Sequence, residues 1–360
     1  MKKNIAMASV ELKDEEINAA VEVLKSGRLV HGPKAVEFEE LFAQHVGARH
    51  AITVSSGTAA LHLAYLALLE PGDEVLVPAF THISTASMAV FSNSTPVFCD
   101  IDPDTFTIDI KEIKKKITPK TKAIAPVHLF GNSCEIDDIL NIAKEYNLYV
   151  IWDAAQAHGT RYRGKDIGSF DDIVCYSFYP TKNMLTGEGG MITTNNTELY
   201  ERLKLMKSHG QSKKYYHTMF GLNYRMSEVE AAIGIEQLKK LDSMIERRRA
   251  NAKIYNTRLS EIDGIKIPLV KEYVEHSYHQ YSVVLDEKID RASLMGRLQE
   301  KGISTGVHYP RPVHKQPVFN SSEKLPVCEY LTEHIMSLPV HPGLEDEDIE
   351  YICSAIKEAL

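Results

Sequence analysis

From about residue 50 the chain alternates short apolar runs with stretches of helical periodicity, and this alternation restricts the fold more than any other feature. "HAITV" precedes a helical pattern through "AALHLAYLALL", "DEVLVP" precedes "ISTASMAVFS", and "PVFCDI" and "KAIAPVHLF" follow. After the amphipathic "CEIDDILNIAKEYN" come "LYVIWDAAQAHG", "DDIVCYSFYP" and "GGMITTN". Strands alternating with helices predict βαβ units and a mostly parallel sheet covered by helices on both faces, an α/β fold.

From about residue 228, "SEVEAAIGIEQLKKLDSMIERRRANAKIYNTRLSEI" predicts one or two long helices, with Glu236 and Lys240 as an i,i+4 pair. Beyond it, "HSYHQYSVVL" and "ISTGVHYP" read as strands. "DRASLMGRLQEKG" reads as a helix with an acidic N-cap, and "EDEDIEYICSAIKEAL" as the final helix. The expected organisation is a large domain over residues 1–245 and a smaller C-terminal α+β domain over residues 246–360.

Composition narrows the partners. With 41 basic against 49 acidic residues the net charge is −8, which invites neither nucleic acid nor an anionic membrane. The runs Lys114, Lys115, Lys116 and Arg247, Arg248, Arg249 read as solvated helix faces. Cys99, Cys134, Cys175, Cys328 and Cys353 are scattered and form no C-x-x-C pair, as expected of reduced, packed thiols in a cytoplasmic protein. The start turns acidic before an apolar core develops, so no signal peptide is expected, and no uncharged apolar run approaches the roughly 20 residues that span a bilayer.

Three segments carry the chemistry. In "VSSGTAAL" a strand ends at a Ser55-Ser56-Gly57-Thr58 turn and a helix begins, and the free N–H groups of a helix start attract an anion. Taken alone, the same residues read as a well-capped helix. In "YVIWDAAQAHG", Asp153 follows a buried-looking strand, the end of a sheet where ligands collect; a structural salt bridge would satisfy it equally. Gln156 and His158 lie a short step further on. In "SFYPTKNMLTGEGGMI", Ser177 ends another strand and Lys182 precedes Gly187, Gly189 and Gly190, although a single lysine is ordinarily a surface residue. Together the three segments meet one requirement: a phosphate needs a helix start, a protonated ring nitrogen needs an acid, and an aldehyde needs an amine. Pyridoxal phosphate carries all three groups. No dinucleotide or P-loop signature and no H-E-x-x-H is present, and no metal is expected.

Seven segments, "GRLVHGPKAVEFEELFA", "SSGTAALHLA", "VPAFTHISTASM", "WDAAQAHG", "SFYPTKNMLTGEGGMI", "GLNYRMSEVEAAIG" and "HYPRPVH", resemble in order and spacing those of the DegT/DnrJ/EryC1/StrS aminotransferases. These are fold-type-I pyridoxal phosphate enzymes that mostly aminate keto sugars carried on nucleotides. The resemblance implies that Lys182 forms the Schiff base and serves as general acid/base, and that Asp153 pairs with the ring nitrogen. It puts Gln156 near the ring's hydroxyl edge, His82 where the family stacks an aromatic ring, and Gly57, Thr58 and Ser177 on the phosphate. Asn223 is expected from the neighbouring subunit of a homodimer with shared active sites. By the same resemblance "HYPRPVH", with His308, Tyr309, Arg311 and His314, and "GRLVHGP" line the sugar-nucleotide cleft, although Arg311 reads equally as an exposed loop residue. In the family's dehydratase branch a histidine replaces the lysine, so Lys182 favours transamination. The implied donor is L-glutamate and the implied acceptor a nucleotide-linked keto-hexose. A member acting on a non-nucleotide ring, such as a cyclitol or an aminobenzoate precursor, and a non-catalytic regulatory member are the alternatives.

Overall fold

The computed structural model describes residues 4–170 and 173–360. Asp171 and Asp172, which open the run "DDIVCYSFYP", and residues 1–3 lie outside the described residues.

Seven strands form the central sheet: β1 (His50–Val54), β2 (Glu74–Pro78), β3 (Thr95–Cys99), β4 (Thr121–Ile124), β5 (Tyr149–Asp153), β6 (Ile173–Ser177) and β7 (Gly190–Thr194). Their order is β1-β7-β6-β5-β4-β2-β3. The run from β6 through β5, β4 and β2 to β3 is parallel, as the alternation with helices requires. β7 alone is antiparallel to both neighbours. It returns from β6 through a loop with no crossover helix, and so must run back alongside it.

Alternate residues of each strand feed two cores on opposite faces. Val75 and Val77, Ile151, and Ile173 and Cys175 face one core. Leu76, Val150 and Trp152, and Val174 and Tyr176 face the other. Both faces are buried, which explains why the parallel strands read as unbroken apolar runs. A third core gathers residues 252–359 and Ile5 around a small antiparallel sheet with the order Ile265–Lys266, Tyr281–Leu285, Ile335–Leu338.

One helix of 32 residues, Glu228–Leu259, connects the cores. Ala231, Ile235 and Leu241 enter a large-sheet core, whereas Ala252, Tyr255 and Leu259 enter the third. The position 245/246 falls inside this helix. Ser227 and Glu230 close its N-terminus as a capping box. Glu228 turns away to cap a different helix, Pro33–Val46, its carboxylate accepting from the N–H groups of Gly32 (2.8 Å), Lys34 (2.9 Å) and Ala35 (2.9 Å).

Three local expectations are corrected. Lys240 does not pair with Glu236; it reaches Glu15 and the buried Glu16 on the helix Asp14–Ser26, and Glu236 takes Lys239 instead. The basic run 247–249 is not a solvated face: Arg248 is buried and all three guanidinium groups donate to backbone carbonyls. Only Tyr281–Leu285 of "HSYHQYSVVL" is a strand, and "ISTGVHYP" makes only isolated bridges at Ile303 and Gly306, its place beside Tyr281–Leu285 being taken by Ile335–Leu338. All five cysteines are buried and free. No helix among the described residues is long and apolar enough to cross a membrane.

Candidate active site

The lysine segment hangs between two paired strand ends. Ser177 of β6 pairs with Gly190 of β7. The next residue, Phe178, donates its N–H to Gly189 O (2.8 Å) and accepts from Thr186 N–H (2.9 Å) on its own carbonyl. Lys182 donates its backbone N–H to Tyr179 O (2.8 Å), which closes a tight turn and carries the side chain over the C-terminal edge of the sheet. Gly189 has φ +144°, and a Cβ there would meet Met226 Cε at 2.7 Å, so the loop closes only with glycine at this position.

Lys182 lines a cavity of about 320 Å³ together with Asp153, Gln156, Ser177 and Gly57. Asp153 ends β5 and is buried; its Oδ2 accepts from Thr85 Oγ1 (2.8 Å) and its Oδ1 from Ala155 N–H (3.1 Å). Among the described residues it forms no ion pair, so the salt-bridge reading of this carboxylate is not realised. The Lys182 ammonium likewise has no hydrogen bond or ion pair to a described residue. Burial pushes its pKa down to about 8, opposed by the charge of Asp153.

Beside this pair the helix Gly57–Leu68 starts against β6. Ser56 Oγ caps Ala59 N–H (3.0 Å), leaving the N–H groups of Gly57 and Thr58 without an intrahelical acceptor. A Cβ on Gly57 would lie 2.7 Å from Ser177 Cβ, so only glycine brings the helix start this close to the Ser177 hydroxyl. Gln156 is held at both ends of its amide: Oε1 accepts from Phe130 N–H (2.9 Å) and Nε2 donates to Tyr309 Oη (2.8 Å). His82 also lines the cavity, its Nδ1 2.8 Å from Ser84 Oγ and its ring edge-on to Tyr309. His308 completes this side, with Nδ1 3.1 Å from Ser337 Oγ.

Other expected residues lie elsewhere. His314 is fully buried, its Nε2 3.1 Å from Glu329 Oε1 and its ring against Phe98. Arg311 is exposed and donates from Nη1 to Lys315 O at 3.4 Å. Asn223 is exposed on a loop bridged to Ser208, ahead of the long helix that Ser227 caps. His158 is buried between the rings of Tyr176 and Phe178, and burial holds its pKa at about 3, so it is a neutral packing residue. In "GRLVHGP", His31 meets Lys207 and Gly32 meets Glu228 within this chain.

Two contributions escaped the sequence reading. Thr85, which orients Asp153, sits four residues from Thr81 with the hydroxyls 3.0 Å apart; a threonine pair at i,i+4 spacing was the available signal. His279 and Gln280 line the cavity from the far side of the chain, and no local pattern marks them.

The sequence model of the DegT/DnrJ/EryC1/StrS aminotransferase family matches residues 10–357. The chain belongs to this family. GDP-perosamine synthase of Escherichia coli O157:H7 is 40% identical over 327 residues, covering 89% of each protein. DesV of S. venezuelae, solved in complex with a ketimine intermediate, superposes with a TM-score of 0.95 at 36% identity, covering 99% of this chain and 98% of that one. A putative sugar aminotransferase of Streptococcus pneumoniae, Spr1654 in its PLP form, gives 0.92 at 29% identity, with coverage of 99% and 98%. The protein is a pyridoxal phosphate-dependent aminotransferase of the α/β fold these structures share.

The residues present fit that cofactor. Among the described residues the aminotransferase holds an amine without a protein partner, a buried carboxylate without an ion pair, and two open N–H groups facing a serine hydroxyl, all on one cavity. These are the three donor sets that an aldehyde, a ring nitrogen and a phosphate require.

Proposed function

We propose that this aminotransferase transfers the amino group of L-glutamate to a nucleotide-linked keto-hexose, acting in the cytoplasm as a homodimer with shared active sites. The observation that carries the reading is the pairing of an unengaged amine of pKa about 8 with the buried, unpaired Asp153 on one cavity. The likeness to GDP-perosamine synthase supports a sugar nucleotide as acceptor.

Pyridoxal phosphate, when bound, supplies the carbonyl that takes the amino group and the electron sink that makes the substrate carbon acidic. Lys182 would hold the cofactor through its aldehyde, and its side-chain amine would serve as the general acid/base that moves a proton from the amine-bearing carbon of the substrate to the former aldehyde carbon. A pKa near 8 leaves a useful fraction of both protonation states near neutral pH. Asp153, fixed by Thr85 and Ala155, would hold the ring nitrogen. Gly57, Thr58 and Ser177 bind the phosphate, Gln156 takes the ring's hydroxyl edge, and His82 stacks. His308, Tyr309 and Arg311 serve the sugar nucleotide. His314 is not retained in that role, because its buried imidazole is held by Glu329.

Asn223 reaches the phosphate of the partner's site. The exposed amide of Asn223 supports this, as do the nearby Tyr215 and Phe220, exposed to 83% and 101% in the isolated chain. The test is a screen of nucleotide-linked keto sugars with glutamate, the amine position of the product being read by NMR. Turnover of a keto ring that lacks a nucleotide, with none of the conjugates accepted, overturns the reading.

A further inference from the structure

The segment at residues 276–281 crosses from the long helix to the active-site cavity, and its backbone is fixed at several points. Ser277 N–H donates to Gly131 O (2.9 Å) and Gln280 N–H to Phe130 O (3.2 Å). The buried Arg248 donates from Nη1 to Tyr278 O (3.1 Å) and His279 O (3.3 Å). The approach is close enough that a Cβ on Gly131 would lie 2.8 Å from Tyr278 N. Phe130 links this segment to the cofactor side, since its own N–H is held by Gln156 Oε1 at 2.9 Å.

On this rigid backbone two side chains remain unengaged. His279 is only 7% exposed, yet its Nδ1 has no partner. The side chain of Gln280 makes no hydrogen bond to any described residue, and its Oε1 is buried without a partner. Both residues line the same cavity as Lys182. A buried polar atom without a partner is unfavourable, so two of them side by side on a pinned backbone call for a ligand.

We propose that His279 and Gln280 are specificity-determining residues that hydrogen-bond hydroxyl groups of the sugar acceptor, an assignment that rests on the nucleotide-sugar reading above. The chemistry of the pair selects hydroxyls over carboxylates. An amide is neutral, and burial holds the His279 imidazole neutral as well. Of the cations near the pair, Arg248 is turned to the carbonyls of Tyr278 and His279, and Lys182 is the amine that serves the cofactor. A neutral donor and acceptor in fixed positions match hydroxyls, each of which both gives and takes a hydrogen bond. A site built this way also rejects a sugar with a hydroxyl missing or inverted, because its own groups are then left unpaired.

The test uses the holoenzyme and equilibrium binding. UDP, GDP and dTDP, and the hexose conjugate of each, are titrated into wild type, Gln280→Leu and His279→Phe. For the base that binds wild type, Gln280→Leu weakens the hexose conjugate about tenfold and leaves the free nucleoside diphosphate within about twofold. His279→Phe shows the same selective loss. Equal weakening of conjugate and free nucleotide, or no weakening of either, in a Gln280→Leu protein of unchanged melting temperature overturns the assignment alone. If neither the nucleotides nor their conjugates bind wild type, the nucleotide-sugar reading fails and takes this assignment with it.

Discussion

Two lysines close to the ends of the central sheet meet opposite fates. Lys207 is 4% exposed, and its ammonium donates to Glu39 Oε1 (2.7 Å) and Thr53 O (3.0 Å) and lies 3.0 Å from His31 Nε2. Burial pushes the Glu39 carboxyl up, but hydrogen bonds from His31, Lys207 and Thr53 outweigh it and hold the pKa at about 2. Burial lowers the Lys207 pKa in turn, against the pull of Glu39. With the carboxylate this strongly held, the pair is charged on both sides. Lys182 has none of these partners, and Asp153, the acid on its cavity, is turned to Thr85 and Ala155. A structural lysine has its donors satisfied within the chain, whereas a lysine kept for chemistry leaves them open and has its charge weakened by burial.

Alanine substitutions at the two positions separate these roles. Lys182→Ala is expected to lower turnover by at least about 1,000-fold, some 4 kcal/mol of transition-state stabilisation, with the melting temperature of the apoprotein unchanged, because no protein partner is lost. Lys207→Ala is expected to destabilise the fold by roughly 3–5 kcal/mol, since it leaves Glu39 buried and unpaired, while turnover per folded molecule is retained. Chemical denaturation and steady-state rates measured on both variants check the crossing. A Lys182→Ala protein that loses stability instead of turnover would erase the distinction.

Smaller effects sharpen it. Asp153→Asn keeps the contacts to Thr85 and Ala155 feasible but removes the charge, and turnover falls about 100-fold with cofactor still bound. Near-normal turnover would show that another group serves the ring nitrogen. At His82 the expected difference is smallest. Phe retains activity within a fewfold, and Ala weakens cofactor retention, measured as release on dialysis. A Phe variant as impaired as Ala would assign the imidazole a proton or hydrogen-bond role in place of stacking.

Much of the fold was legible because both faces of the sheet are buried, which makes β2, β4, β5 and β6 read as apolar runs broken by helices. The site was legible where its residues sit at or shortly beyond a strand end, as Asp153 closes β5 and Lys182 follows β6 after a short turn. It was not legible where distant parts of the chain capture a segment. "HSYHQYSVVL" has the alternation of a strand, yet Phe130, Gly131 and Arg248 hold its first half in irregular form. Arg248 is a charged residue in a basic run, and only the fold reveals that the helix face beneath it is covered. His314 lies shortly beyond the exposed Pro310 and Arg311, and its burial depends on Glu329 and Phe98 from other elements. Local sequence carries no sign of such contacts.

The central claim, that Lys182 is the open amine of this site, is tested most directly on the apoprotein. Pyridoxal phosphate is added across a range of pH, the adduct is trapped with borohydride, and peptides are mapped by mass. Because burial disfavours the charged form, Lys182 is protonated below about pH 8 and neutral above it. The predicted result is a pyridoxyl group on Lys182, formed about tenfold faster per pH unit up to roughly 8 and level beyond it, with Lys207 unlabelled. Label on another lysine, or a rate at Lys182 that still climbs toward the ordinary lysine range, would contradict the account.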